Sequence, residues 1–506
     1  MKARAAEAGG AVDRAAAGYA AVLYAQPDNA DIALRAWRQA LAAGDDALAA
    51  RAAKVLQAKG QAPLDVALYD CALAARTGDA AKIEQALKTL KDTPFAFIAN
   101  PVRAWQAFAA DKDPMPLLDA AQGSALERGY AAENRALLLI ATGHMDDGVA
   151  GLRMLLGADP GGIDLRYNAA QLLAAKGRAD TAHALLIGDD PMLAALSAHI
   201  GDGVQPSLAF GVSRIFTRLA ADIAHGKAAT LSIALTRSAL AAEPGNDRAR
   251  LLLADALAES DAPDRALAVL DQIAPDHPLW AVAQDMHVQV LARSGASPQA
   301  IEAAKRQSAN GDAGDARQLG ELLTGQKRYG EAAGAFALAL KRAGKNADWT
   351  YHLQLGGALE QAGRWTEARA ELVKAVEMAP DEPLALNYLG YARIEHHEDV
   401  AASEKMLQQA HQLAPANASI SDSLAWAWFR RGDTARALPL LETAAAAEPA
   451  NATIGEHLGD TYWAIGRRYE ARYAWAAAKV SADPADLARL NAKIANGPDA
   501  HTAQAR

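Results

Sequence analysis

One spacing constrains this chain more than any other feature. Pro380, Pro415, Pro449 and Pro484 stand 35, 34 and 35 residues apart. The stretches they close share one grammar. Upstream in each sits a pair, Leu355-Gly356, Leu389-Gly390, Leu424-Ala425 or Leu458-Gly459. A small residue follows, Ala368, Ser403, Ala437 or Ala471, and four positions later a large apolar one, Leu372, Leu407, Leu441 or Trp475. A fixed period of this size marks a supersecondary unit of two helices and a turn, stacked on its neighbours. Neither helix can bury its apolar stripe alone, so stability becomes roughly a sum over adjacent units. The small eighth residue lets the helices approach closely, because glycine in a helix costs roughly 1 kcal/mol against alanine and tight packing must offset it. Gly363, Gly432 and Gly466 are placed to end first helices in a left-handed conformation, and the prolines stop the second helices.

Over Trp349–Asp486 this pattern resembles the tetratricopeptide repeat (TPR) superfamily. The resemblance implies an all-α TPR α-solenoid, a right-handed superhelix of about 12–14 antiparallel helix pairs that binds proteins. The strings Leu386–Tyr391 (LNYLGY), Asp422–Trp426 (DSLAW) and Glu456–Trp463 (EHLGDTYW) resemble a narrower group of large bacterial TPR proteins. Some of that group are envelope lipoproteins or periplasmic adaptors, and one similar in layout tethers a carboxyl-terminal processing protease to its substrates. A periplasmic or envelope location is what that likeness implies. A cytoplasmic assembly factor or regulator is the alternative, and an enzyme with its site on the solenoid helices a third reading.

Composition narrows the rest. Of 506 residues, 51% are hydrophobic but only 6% aromatic, which suits thin, closely packed helices. A net charge of −9 without a basic stripe argues against a nucleic-acid groove. The single cysteine, Cys71, excludes a disulfide framework and a cysteine-built zinc cluster; at the small position of a repeat it is expected to be a buried, inert thiol. No apolar run is long enough to span a membrane. Met1–Asp13 carries Lys2 and Arg4 without the apolar core of a signal peptide. Counting back from Pro27 places Gly10 at a turn, Ala15 at the small position, Tyr19 at the large one and Met1 inside a first helix. The expectation is that upstream residues were removed or the start was assigned too late, which leaves room for a signal or lipid anchor upstream of Met1.

Along the chain, residues 1–187 read as a loosely patterned N-terminal arc with a truncated first helix. Leu64–Pro94 is its clearest repeat; Trp105, Gly143 and Pro160 mark the next stretch. Residues 188–211, with Gly188, Asp189, Pro191, Gly201, Gly203 and Pro206, break the phase as a hinge or an eroded repeat. Residues 212–348 are middle repeats and 349–486 the four strong ones. Residues 487–496 form a capping helix, and 497–506 a frayed tail.

As the resemblance implies, the first helix of each pair lines a concave face through its second, fifth, ninth and twelfth positions. Here these include Asn387, Tyr391, Asp422, Trp426, Phe429, Glu456, Asp460 and Trp463, with Arg430 beside them. Trp, Tyr and Arg dominate binding hot spots, so this face is the candidate groove for a protein or an extended peptide. Trp428 and Tyr462, at the eleventh position, are expected to fill the core. Asp422 and Glu456 would repel a terminal carboxylate, which points to a basic or neutral ligand segment. Glu395-His396-His397-Glu398-Asp399 has metal-ligand residue types at an inter-helix turn carrying one extra residue, but adjacent histidines diverge and a solvated loop is expected. Leu323–Tyr329 lacks the leading glycine of a phosphate-binding loop, and no nucleophile elbow or cysteine–histidine pair is readable. With repeats along nearly the whole chain there is no room for a catalytic domain. The reading is a non-enzymatic scaffold without cofactor or metal.

Overall fold

The computed structural model describes residues 1–121, 123–158, 162–188, 190–224 and 228–498, without the side chains of 158 and 191. The expectations placed on Pro160, on Asp189 and on the tail beyond 498 lie outside the described residues. Thirty α-helices and no strand are present among the described residues, so the all-α repeat fold read from the period is the one adopted. None of these helices is long and apolar enough to cross a membrane. The chain divides into two compact units, Met1–Ala300 and Ile301–Arg506.

In the second unit the four strong repeats are the helix pairs Trp349–Gln361 and Trp365–Met378, Pro383–Glu395 and Val400–Leu413, Ala418–Arg430 and Thr434–Ala447, and Ala452–Ala464 and Arg468–Ser481. A terminal helix, Leu487–Asn496, follows. The small eighth residues are notches for the large residue of the second helix. A Cβ on Gly459 would lie 2.3 Å from the indole nitrogen of Trp475, and one on Gly390 2.9 Å from Leu407. Asn417 and Asn451 cap the first helices of the third and fourth repeats, accepting the Ile420 and Ile454 amides. Gly363, Gly432 and Gly466 end first helices at φ of 75°, 84° and 84°. The second repeat absorbs its extra residue differently: His397 (φ 57°) and Asp399 (φ 20°) take positive φ, and Asp399 caps the next helix through the Ala402 amide.

The first unit repeats the same pairing from its start. Gly10 turns at φ 67° between Lys2–Ala8 and Val12–Ala25, with Ala15 and Tyr19 buried behind it. Cys71 is fully buried, and burial pushes its thiol up to about 12, leaving it protonated. What distinguishes this unit is a non-local contact. The pair Leu208–Ile223 and Ala229–Ala242 packs across the first helices Ala30–Ala43, Leu64–Thr77 and Ala99–Ala109. Arg237 fastens it, donating to the carbonyls of Leu41 (2.6 Å) and Ala42 (3.1 Å), while Arg265 donates to that of Ala43. Two guanidinium groups thus satisfy the orphan carbonyls at a helix C-terminus. Burial, and then the neighbouring Arg265 charge, lower the Arg237 pKa to about 10, so it stays cationic near neutral pH. Trp105 is buried against Gly211, where a Cβ would come within 2.1 Å of the indole.

Between these parts, Pro191–Ala198 is a short helix. The loop after it is tied to helix Ile163–Ala175 by the Val204 amide, which donates to the Gln171 carbonyl at 3.1 Å. Gly203 (φ 68°) permits that approach, since a Cβ there would sit 2.0 Å from the same oxygen.

Candidate functional site

Three consecutive first helices, Pro383–Glu395, Ala418–Arg430 and Ala452–Ala464, carry the sequence-selected side chains, and Tyr391, Asp422, Trp426, Phe429 and Arg430 meet around one stack. Their centre is a stack. The Trp426 ring lies over His457 at 3.9 Å (12° between planes) and over Phe429 at 4.9 Å (15°). Its indole donates to Glu395 at 2.8 Å. His457 Nδ1 lies 2.9 and 3.0 Å from the two Asp422 oxygens. Tyr391 approaches the same imidazole, and the Arg430 guanidinium sits 5.8 Å from the Trp426 ring centre. Arg430 Nη2 also donates to His397 Nδ1 at 3.1 Å.

The acids of this face are already compensated. Lys493, on the terminal helix, places its ammonium 2.6 Å from Glu456 and 2.6 Å from Asp460. Arg489 joins it at Glu456, and Asp460 accepts the Trp475 indole at 3.0 Å. The terminal helix therefore does for the fourth repeat what His457 does for the third: it presents a base to the acid one repeat back. Asp422 and Glu456, expected to set the ligand's charge, are instead buried and paired within the protein itself, as is Asp460.

Trp426 and Phe429 are buried as well, so Asn387, Tyr391, Arg430 and Trp463 are the half-buried members that keep an open edge. The Asn387 Oδ1 has no hydrogen-bond partner. Trp463 lies under the guanidinium groups of Arg468 (4.9 Å) and Arg472 (5.1 Å). Trp428 and Tyr462 are half-buried rather than wholly in the core. Each lies under an arginine and reaches back to an acid of the preceding repeat: Trp428 under Arg436 to Glu404, Tyr462 under Arg467 to Glu442. The paired histidines do diverge. His396 stacks on Trp365 at 4.2 Å, while His397 faces Arg430. No group of three or more metal-ligating side chains converges among the described residues.

The His457–Asp422 pair has a pH consequence. Burial alone would lower the imidazole's pKa, but the adjacent Asp422 charge and hydrogen bond outweigh it, and the pKa is raised above the usual 6.5. Asp460 and Glu395 act in the same direction. A histidine raised on folding stabilises the folded state fully below its unfolded pKa, and that contribution is lost as pH rises through the folded value. The midpoint of thermal unfolding should therefore fall as pH rises above about 6.5, the ordinary imidazole value, and through the raised one. His457→Gln should flatten that slope; identical slopes in both proteins would refute the assignment.

The sequence pattern did not point to Arg489 or Lys493; it placed Glu395 in a solvated turn, and it offered His457 only as a titratable group for the enzyme reading. A usable signal exists in the repeat phase: His457 lies 35 residues after Asp422, and Lys493 lies 37 after Glu456 and 33 after Asp460.

Compared with known proteins, residues 227–290 match the tetratricopeptide repeat family. The chain is similar to TTC0263, a thermophilic TPR protein of Thermus thermophilus, at 24% identity over 37% of this chain and 98% of that one, with a TM-score of 0.33. It is similar to yeast Tom70 at 12% identity over 79% and 95%, with a TM-score of 0.39. It is also similar to MamA of Desulfovibrio magneticus at 17% identity over 35% and 95%, with a TM-score of 0.28. No curated protein matches the chain.

Proposed function

We propose that this tetratricopeptide-repeat protein is a non-enzymatic scaffold, holding a protein partner or an extended segment of one along the first-helix face of residues 349–486. One contrast carries the reading. In the first unit the face formed by the first helices is covered by the helices Leu208–Ile223 and Ala229–Ala242, whereas the first helices of the second unit pack on their sequence neighbours. There Asn387, Tyr391, Arg430 and Trp463 keep accessible edges over a stacked, ion-paired base. Rigid aromatic edges on a preorganised support lose little entropy on binding. The exposed Glu395 carboxylate is an acceptor, which favours a neutral or basic segment offering N–H groups.

The finer form is an adaptor in a bacterial envelope complex, in the manner of a processing-protease adaptor; its support is the likeness of LNYLGY, DSLAW and EHLGDTYW. A photo-crosslinking amino acid placed at Tyr391 in the native organism, with Tyr473 on the exposed outer helix as control, tests both levels. A discrete protein adduct at 391 and not at 473 is expected, and a processing protease in that adduct would support the adaptor. Adducts at 473 alone, or equal labelling at both, would sink the groove.

A further inference from the structure

The first unit holds a second, unrelated candidate site. A cavity of about 360 Å³ lies between helices Ala125–Ala141, Met145–Ala158, Ile163–Ala175 and Leu208–Ile223 and the start of Asp247–Glu259. That volume falls at the small end of ligand pockets, which run ~300–1,000 Å³. Its charged lining is internally balanced. Arg214 pairs with Glu243 at 2.5 Å, Arg248 with Asp164 at 2.8 Å, and Arg218 with Glu133 at 3.6 Å and Asp222 at 3.5 Å. Asp247 is held by Arg250 and by His277, whose pKa burial lowers, so that the imidazole is neutral.

Two amides on one helix remain outside these pairs. Gln171 is buried, and its Oε1 has no hydrogen-bond partner. Asn168, one turn earlier, is half-buried and makes no hydrogen bond among the described residues. Leu137, Leu156, Met192 and Ile215 supply an apolar wall.

We infer that this cavity binds a small ligand of no net charge that joins an apolar group to an amide, such as one apolar residue of a peptide with its flanking amide groups. A charged ligand would enter a site whose ions are already paired and would leave its own charge buried without a partner. A purely apolar ligand would leave the Gln171 oxygen unsatisfied. A ligand with one N–H for Gln171, one acceptor or donor for Asn168, and a branched or thioether side chain for the apolar wall satisfies all three demands.

Blocked tripeptides test this with the full chain: acetyl-Ala-Leu-Ala-amide beside its Glu- and Lys-centred analogues, followed by saturation-transfer NMR and titration. The leucine peptide should bind at least tenfold more tightly than either charged one. Gln171→Met should weaken it at least tenfold, with circular dichroism showing that the variant is folded. Should Gln171→Met fail to fold, Asn168→Ala, at a half-buried position, should show the same loss. No binding by the leucine peptide, a preference for a charged analogue, or unchanged binding in the folded variants would overturn the inference. The site lies in the first unit, so these outcomes are independent of the crosslinks at Tyr391.

Discussion

Trp105→Ala is expected to destabilise the first unit by about 3–5 kcal/mol, the range for deleting a large buried aromatic. Trp105 is fully buried and contacts four residues that no smaller side chain can engage together. Its ring meets Phe108 at 5.8 Å and Phe210 at 5.7 Å, both edge-on, and its face closes on Gly211. Its indole nitrogen donates to the buried Asn134 Oδ1 at 2.8 Å, and alanine would leave that oxygen unsatisfied. The cavity and the orphaned acceptor both fall where helix Ala99–Ala109 meets Leu208–Ile223. The loss should therefore appear as early hydrogen exchange in Leu208–Ala242 and in the first helices it covers. Denaturant unfolding with exchange read by mass spectrometry checks this. A loss below about 1 kcal/mol, with protection of 208–242 unchanged, would show that the non-local seam does not depend on the tryptophan.

Lys493→Ala should cost the end of the second unit about 3–5 kcal/mol, because removing one partner of a buried ion pair leaves charge uncompensated. Lys493 is 5% exposed and serves Glu456 and Asp460 together. Arg489 is half-exposed and pairs with Glu456 and Asp486 but not with Asp460, so it cannot replace the lysine there. Coupling in a repeat array runs between nearest neighbours. Protection should consequently be lost across Ala452–Asn496 while Trp349–Leu413 keeps it. Lys493→Met should behave like the alanine variant, since it restores the stem but not the charge. Adding Glu456→Gln and Asp460→Asn to Lys493→Met should recover at least half of the loss. Equal stability of wild type and Lys493→Ala would mean that the two acids are neutralised in another way.

Much of the repeat geometry was legible in the residues. Leu372, Leu407 and Trp475 could be matched in advance to Gly356, Gly390 and Gly459, because the notch and the side chain that fills it lie within one unit, close in sequence. The divergence of His396 and His397 was readable for the same local reason. The candidate groove was legible in position but not in state. The fifth and ninth positions of a first helix can face a ligand or the next helix, and residue type does not decide between them. Asp422, Glu456 and Asp460 look like ligand-facing acids until the bases one repeat onward are placed against them.

By itself, then, the sequence determined the period, the helix pairs, the turns and the close contacts inside each unit, because each of these is set by interactions spanning about one repeat. Tertiary structure alone decided which first-helix faces are covered. The helices Leu208–Ile223 and Ala229–Ala242 lie on Leu64–Thr77, and Arg237 caps a helix ending nearly 200 residues earlier, with donor and acceptor 196 and 195 positions apart. No local pattern encodes a contact of that span. Its driving force is the burial of apolar surface, which is non-directional and names no partner until the chain is folded.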